Sequence, residues 1–217
     1  MLLLLIARKD IRLLYTMLSE NARTLNTLTE NVSTMNQMPK ILVFAGPNGS
    51  GKSTITSGHQ IVGTYVNADD IKRHRGCSEL EAAQEAELLR ESLMESRKSF
   101  TFETVLSTDR NIKLLERAKS IGYSIESIFV LTADAELNVK RVKARIAKGG
   151  HDVPTDKIRS RYNKSLQLLK NLAALSDCCI MVDNTNRPEI IYRKDADGEV
   201  YLSNEFWDDD AIRELLA

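Results

Sequence analysis

At 217 residues, 42% hydrophobic and 28% charged, the chain has room for one α/β domain with a full core plus a few added elements. Its 30 basic side chains balance 30 acidic ones, and a formal net charge of +0 gives no support to nucleic-acid or membrane-surface binding. Three cysteines, two of them the strand neighbours Cys178 and Cys179 that face opposite ways, make no disulfide framework and fit a reducing, cytoplasmic setting.

The opening MLLLLIARKD lacks the leading charge and small-residue cleavage pattern of a signal peptide, and no stretch approaches the roughly 18 to 20 apolar residues of a membrane helix. Ile11, Leu14, Leu18, Leu25, Leu28, Val32 and Met35 then recur at three-four spacing, with Asn21 the polar exception. That spacing predicts a helical seam seeking a partner, because TLNTLTENVSTMN has poor helix propensity of its own. The texture changes at Pro39, which separates an N-terminal helical extension, 1–38, from a main domain, 39–217.

From Lys40, KILVFAG reads as a buried strand, GKSTITS as the start of a helix and TYVNAD as a second strand. SELEAAQEAELLRESLMESRKS is a long helix in which Ser78 and Glu81 form a capping box. FTFETVL is a strand, DRNIKLLERAKSIG a helix capped by Asp109 and closed by Gly122, and SIESIFVLT the next strand. Two basic helices follow, DAELNVKRVKARIAKGG and TDKIRSRYNKSLQLLKNLAAL, and then the strand CCIMVDN. EIIYRKDADGEVYLS reads as a hairpin turning at Asp197 and Gly198, before a short last helix anchored by Phe206 and Trp207. Strand alternating with helix predicts an α/β fold with a parallel central sheet and right-handed crossovers.

Gly46, Pro47, Asn48, Gly49, Ser50, Gly51, Lys52 and Ser53 match GxxxxGK(S/T) between a strand and a helix, with Thr54 next in the helix. Such a loop wraps a phosphate in backbone N–H groups, Lys52 reaches the β and γ phosphates, and the Ser53 hydroxyl sits on Mg²⁺. The loop alone leaves hydrolysis, transfer and regulated binding open. Carboxylates at the ends of neighbouring strands decide, since an acceptor hydroxyl must be oriented and relieved of its proton. Asp69 is the candidate base, although Asp69 and Asp70 also suit a helix N-terminus. Glu103, a carboxylate in the apolar run from Phe102 to Val105, is expected to face a site.

No strand ends in an acidic residue beside a second hydrolytic Glu; SIFVLTAD with Asp134 comes nearest, which argues against a motor ATPase or GTPase. Instead Arg141, Arg145, Arg159 and Arg161, thickened by Lys140, Lys143 and Lys148, flank KGGHDVP. An arginine-bearing lid hinged at Gly149 and Gly150 fits that cluster, neutralising the transferring phosphate and excluding water.

FAGPNGSGKST, YVNADDI, FTFETVLS and RVKARIAKGGHDVPTDKIRSRYNKSL, spread from about residue 40 to 185, together resemble the zeta toxin family of small-molecule kinases. The resemblance implies a P-loop kinase three-layer fold and ATP- or GTP-dependent phosphorylation of the 3′-hydroxyl of UDP-N-acetylglucosamine, which starves cell-wall synthesis. It implies Lys52 as the phosphate lysine, Ser53 as the magnesium ligand, Asp69 as the base, and Glu103 with Thr104 as sugar contacts. Arg141 is similar to the first lid arginine, while Arg145, Arg159 and Arg161 compete for the second. VDNT, residues 182–185, sits like a base-cradling loop, with Asn184 or Asn186 the contact, and His151 is assigned a loop-stabilising or substrate-side role. His59 and His74 read as surface residues. Residues 1–38 depart from the four segments. They suit a cis-acting inhibitory helix in place of the family's helical antitoxin, a dimerising coiled coil, or a loosely ordered leader.

Overall fold

In a computed structural model, residues 38–147 and 153–217 are described. The N-terminal seam, Gly149, Gly150 and His151 therefore lie outside the described residues. Strand β1 (Lys40–Ala45) is buried from its second residue on, as an unbroken apolar run requires when both faces of a sheet are covered. Helix α1 (Lys52–Ser57) leads to β2 (Thr64–Val66), α2 (Ala68–Arg75), α3 (Glu79–Glu95) and β3 (Phe100–Thr104). Then come α4 (Arg110–Ser120), β4 (Ser124–Leu131), α5 (Ala135–Ile146), α6 (Thr155–Gln167), α7 (Leu169–Leu175) and β5 (Cys178–Asp183). A hairpin of β6 (Glu189–Asp195) and β7 (Gly198–Tyr201) and helix α8 (Asp209–Leu216) complete the chain.

The sheet runs β2-β3-β1-β4-β5-β6-β7, parallel through β5 and antiparallel at β6 and β7. Alternation along the strands splits the core in two. Ile41, Val43, Phe100, Phe102 and Phe129 face Leu93, Leu115, Leu169 and Leu172 on one side. Leu42, Phe44, Ile128, Val130 and Val182 face Ile55 on the other. The parallel order brings the C-terminal ends of β1, β2, β3 and β5 to one edge, where an open α/β sheet binds ligands.

The capping box at α3 forms as read: Glu81 N donates to Ser78 Oγ at 3.3 Å and Ser78 N to Glu81 Oε2 at 2.8 Å. Helix α4 ends at Gly122, with Gly122 N donating to Lys119 O and Tyr123 N to Ala118 O, both at 3.0 Å. Several local readings are corrected. Asp109 stands at the start of α4 without capping it through its side chain, because its carboxylate pairs with Lys113 at 2.6 Å. The second basic helix divides at Leu168 into α6 and α7. The hairpin turns at Ala196 and Asp197, one residue earlier than the sequence suggests. Trp207 packs on the core but Phe206 is exposed. His59 is half-buried, edge-on to Phe44 with centroids 5.5 Å apart, and burial lowers its pKa.

Candidate functional site

Glycine is required at three points of the loop after β1, Gly46, Gly49 and Gly51. Gly46 has φ +137, and a Cβ there meets the Val130 carbonyl oxygen at 2.0 Å, so a side chain collides with the neighbouring strand. Gly51 has φ +93 at the start of α1, where a Cβ meets Asn184 Nδ2 at 2.2 Å. Asn184 donates to Ser50 O at 2.7 Å, bracing the loop from the end of β5. Asp183, buried beside it, accepts from Thr185 N and Asn204 Nδ2, which fixes the segment carrying Asn184. The result is a rigid curl closed from behind, with Ser53 and Thr54 exposed on the first turn of α1.

Lys52 is buried and turns back on its own loop, donating to Gly46 O at 2.6 Å and Pro47 O at 3.0 Å. Burial lowers its pKa to about 8, against the attraction of Glu103 and Asp69, while the Arg145 charge pushes in the same direction as burial. These influences place Glu103, Asp69 and Arg145 within electrostatic reach of the ammonium. A phosphate in the loop favours the charged form, so nucleotide binding draws a proton onto the lysine. At pH 8 binding of ATP is expected to take up about half a proton, falling to almost none by about pH 6.5, where Lys52 is already charged. Calorimetry in buffers of different ionisation enthalpy checks this; equal apparent enthalpies at pH 8 contradict it.

Glu103 lies opposite Phe44 in the β1–β3 register, on the face that carries α1. Its carboxylate accepts from Ser53 Oγ at 3.1 Å and from Tyr65 OH at 2.7 Å, and Tyr65 OH accepts in turn from Asn67 Nδ2 at 2.8 Å. Burial, opposed by the Asn67 hydrogen bond, raises the pKa of Tyr65, keeping it a neutral donor to Glu103. Tyr65 and Asn67 are members of the site that the sequence reading missed. The signal lay in YVNADD, where Asn67 rather than an aspartate caps α2: its Oδ1 accepts from Asp69 N at 2.8 Å. Relieved of capping, the Asp69 carboxylate is exposed and engaged by no described hydrogen bond, whereas Asp70 pairs with Arg73 at 2.9 Å.

The arginines separate. Arg141 Nη2 donates to Thr185 O at 2.9 Å, beside the 182–185 loop, and its buried Nη1 has no hydrogen-bond partner among the described residues. Arg161 Nη1 lies 3.4 Å from Asn48 Oδ1 on the phosphate loop, and Arg145 is near enough to act on Lys52. Arg159 is held away by a two-point ion pair with Glu136 on the exposed face of α5 and α6, at 2.5 and 3.0 Å. Thr104 points to the opposite side of β3 from Glu103, where its Oγ1 accepts from Asn111 Nδ2 at 2.8 Å. Asn186 is exposed. Among the described residues no helix is long and apolar enough to cross a membrane.

The fold is shared with solved structures. The PezAT chromosomal toxin-antitoxin system of Streptococcus pneumoniae superposes with a TM-score of 0.53 at 18% identity, covering 97% of this chain and 95% of that one. The AvrRxo1-ORF1:AvrRxo1-ORF2 complex gives 0.63 at 15% identity over 97% of this chain and 73% of that one, and a form solved with ATP gives 0.62. A protein of Haemophilus influenzae is 29% identical over 129 residues, which is 57% of this chain and 92% of that protein. Residues 23–205 match the zeta toxin family. That span takes in the phosphate loop, the Glu103 strand, both arginine helices and the Asn184 segment, and the chain belongs to the zeta toxin family.

Proposed function

We propose that the protein is a small-molecule kinase that transfers the γ-phosphate of ATP or GTP to the 3′-hydroxyl of UDP-N-acetylglucosamine, and so acts as a toxin against cell-wall synthesis. The observation that carries the reading is the hydrogen bond from Ser53 to Glu103, with Asp69 close enough to act on Lys52. A module that only binds nucleotide needs no more than one carboxylate at its phosphate loop, to help hold the metal. A phosphotransferase needs one to deprotonate an acceptor and another to hold it.

In this reading the loop from Gly46 to Ser53 cradles the nucleotide phosphates and Lys52 follows the migrating group. Asp69 takes the proton of the acceptor hydroxyl as its oxygen bonds to the γ-phosphorus, and the bond from that phosphorus to the β–γ bridging oxygen breaks to release the diphosphate. Glu103 orients the sugar, with Tyr65 and Ser53 fixing both of its oxygens. Arg141, Arg145 and Arg161 gather the charge that develops on the γ-phosphoryl oxygens. Ser53 fits Mg²⁺, since a hydroxyl that donates to Glu103 keeps its oxygen lone pairs for a hard cation. An ion held there by Ser53 would supply positive charge to offset that of the phosphates.

Among the structural relatives are a toxin-antitoxin system and a two-protein complex, which supports a partner protein. We propose a helical antitoxin in trans, or residues 1–38 in cis, as the element that covers the nucleotide site. Both readings are tested by incubating the full chain, and the chain lacking residues 1–38, with ATP, Mg²⁺ and UDP-N-acetylglucosamine and following added phosphate by mass spectrometry. Phosphorylated sugar nucleotide is expected, formed faster by the shorter chain. Phosphate appearing only on another nucleotide or sugar replaces the acceptor and keeps the kinase. Equal rates for the two chains remove the cis reading.

A further inference from the structure

On the sheet face opposite Glu103, helices α3 and α4 leave a pocket of about 330 Å³ between them. Its walls carry Glu87 and Glu91 from α3 and Arg110, Lys113 and Arg117 from α4, and Arg90 lines it from within the groove. Arg90 is only 9% exposed, with its guanidinium carbon 5.1 Å from the centre of the Phe102 ring. Its buried Nε has no hydrogen-bond partner among the described residues. Glu87 and Glu91 are the obvious partners, one turn before and one residue after it. Both are drawn instead across the groove, Glu87 to Arg110 at 3.0 Å and Glu91 to Arg117. Glu87 and Glu91 still attract the guanidinium from a distance, but its buried Nε is left without an acceptor, and one aromatic face returns only part of that free energy.

We infer that this pocket is a second binding site, separate from the nucleotide site, for a ligand bearing a phosphate group, with Arg90 as its central contact. Arg110, Lys113 and Arg117 are paired with Glu87, Asp109 and Glu91, so four cations against these three carboxylates leave a net charge of +1, and Arg90 is the cation of the lining that is left to face an anion. Arginine offers the forked donors that grip such a group, and the volume admits a phosphate with a small attached residue. The site is separate because strand alternation turns Phe102 toward Arg90 and Glu103 toward Ser53. It is not isolated, because Asn111 lines the pocket and hydrogen-bonds to Thr104, the residue next to Glu103.

The test titrates inorganic phosphate into the full chain already saturated with a non-hydrolysable ATP analogue and Mg²⁺, so that the phosphate loop and the γ-phosphate position are both filled, and follows binding by ³¹P NMR. Saturable binding is expected in the wild type, weakened about tenfold or more in Arg90→Met, whose side chain still covers Phe102. The exposed double change Arg110→Gln with Arg117→Gln is expected to abolish binding too, because Glu87 and Glu91 are then released to pair with Arg90. That variant decides the matter if Arg90→Met does not fold. Phosphate binding that vanishes when the analogue is added belongs to the nucleotide site and overturns the proposal. So does binding that persists unchanged in these variants, and equal binding of malonate overturns the assignment to phosphate.

Discussion

Lys52→Ala is expected to reduce phosphoryl transfer by about 10³-fold or more while the protein stays folded. The ammonium is buried and held by two carbonyls of its own loop, Gly46 O and Pro47 O, so it is positioned before any nucleotide arrives. Burial has already stripped it of water, and this makes its charge effective against phosphate oxygens. Alanine removes that charge where it is needed and leaves two loop carbonyls without a donor. It also removes an ammonium whose burial is unfavourable in the empty protein. Melting temperature is therefore expected to change little beside the loss of rate. The assay is initial velocity of phosphate transfer at saturating ATP and acceptor, with circular dichroism as the check on folding. Retained velocity in a folded variant removes Lys52 from the chemistry. A neutral replacement that instead loses its fold makes the lysine a structural residue.

Much of this was legible in the chain because the signals were local. KILVFAGPNGSGKST specifies a buried strand, a turn that only glycine can make and a helix start, all within the fifteen residues 40–54. The capping box at Ser78 and the glycine stop at Gly122 are equally short-range and form as expected. Misreadings arose where a competing contact, local or tertiary, chose among equivalent options. Asp109 has the right residue type for a cap, yet Lys113 one turn away takes its carboxylate. Helix α2 was signalled only by the acidic pair Asp69 and Asp70 at its start, because none of its residues is buried and no apolar period marks its length. The partnership of Tyr65 with Glu103 spans 38 residues and depends on β2 lying beside β3 in register, Tyr65 opposite Thr101. No spacing rule on a single sequence carries that information. Arg145, Arg159 and Arg161 looked interchangeable as the second lid arginine for the same reason. Only the packing of α5 against α6 gives Arg159 to Glu136 and leaves Arg141, Arg145 and Arg161 toward the loop and the 182–185 segment.

Asp69→Asn is expected to cut turnover by about 10² or more while leaving nucleotide affinity within about twofold. Of the three carboxylates near the loop, Asp69 alone is uncommitted among the described residues. Asp70 is paired with Arg73, and both oxygens of Glu103 are occupied by Ser53 and Tyr65. A general base must be free to accept the acceptor's proton, and Asp69 stands at the exposed first turn of α2, held there by the cap that Asn67 supplies to its backbone. Asparagine keeps the size, the capped backbone and the helix start, and loses only basicity and charge. Nucleotide affinity is read by titration and turnover by single-turnover transfer, so binding and chemistry are separated. A fall in both by the same factor makes Asp69 a metal-side or structural residue. If turnover survives, the proton goes to Glu103, whose grip on Ser53 and Tyr65 must then loosen when the acceptor binds.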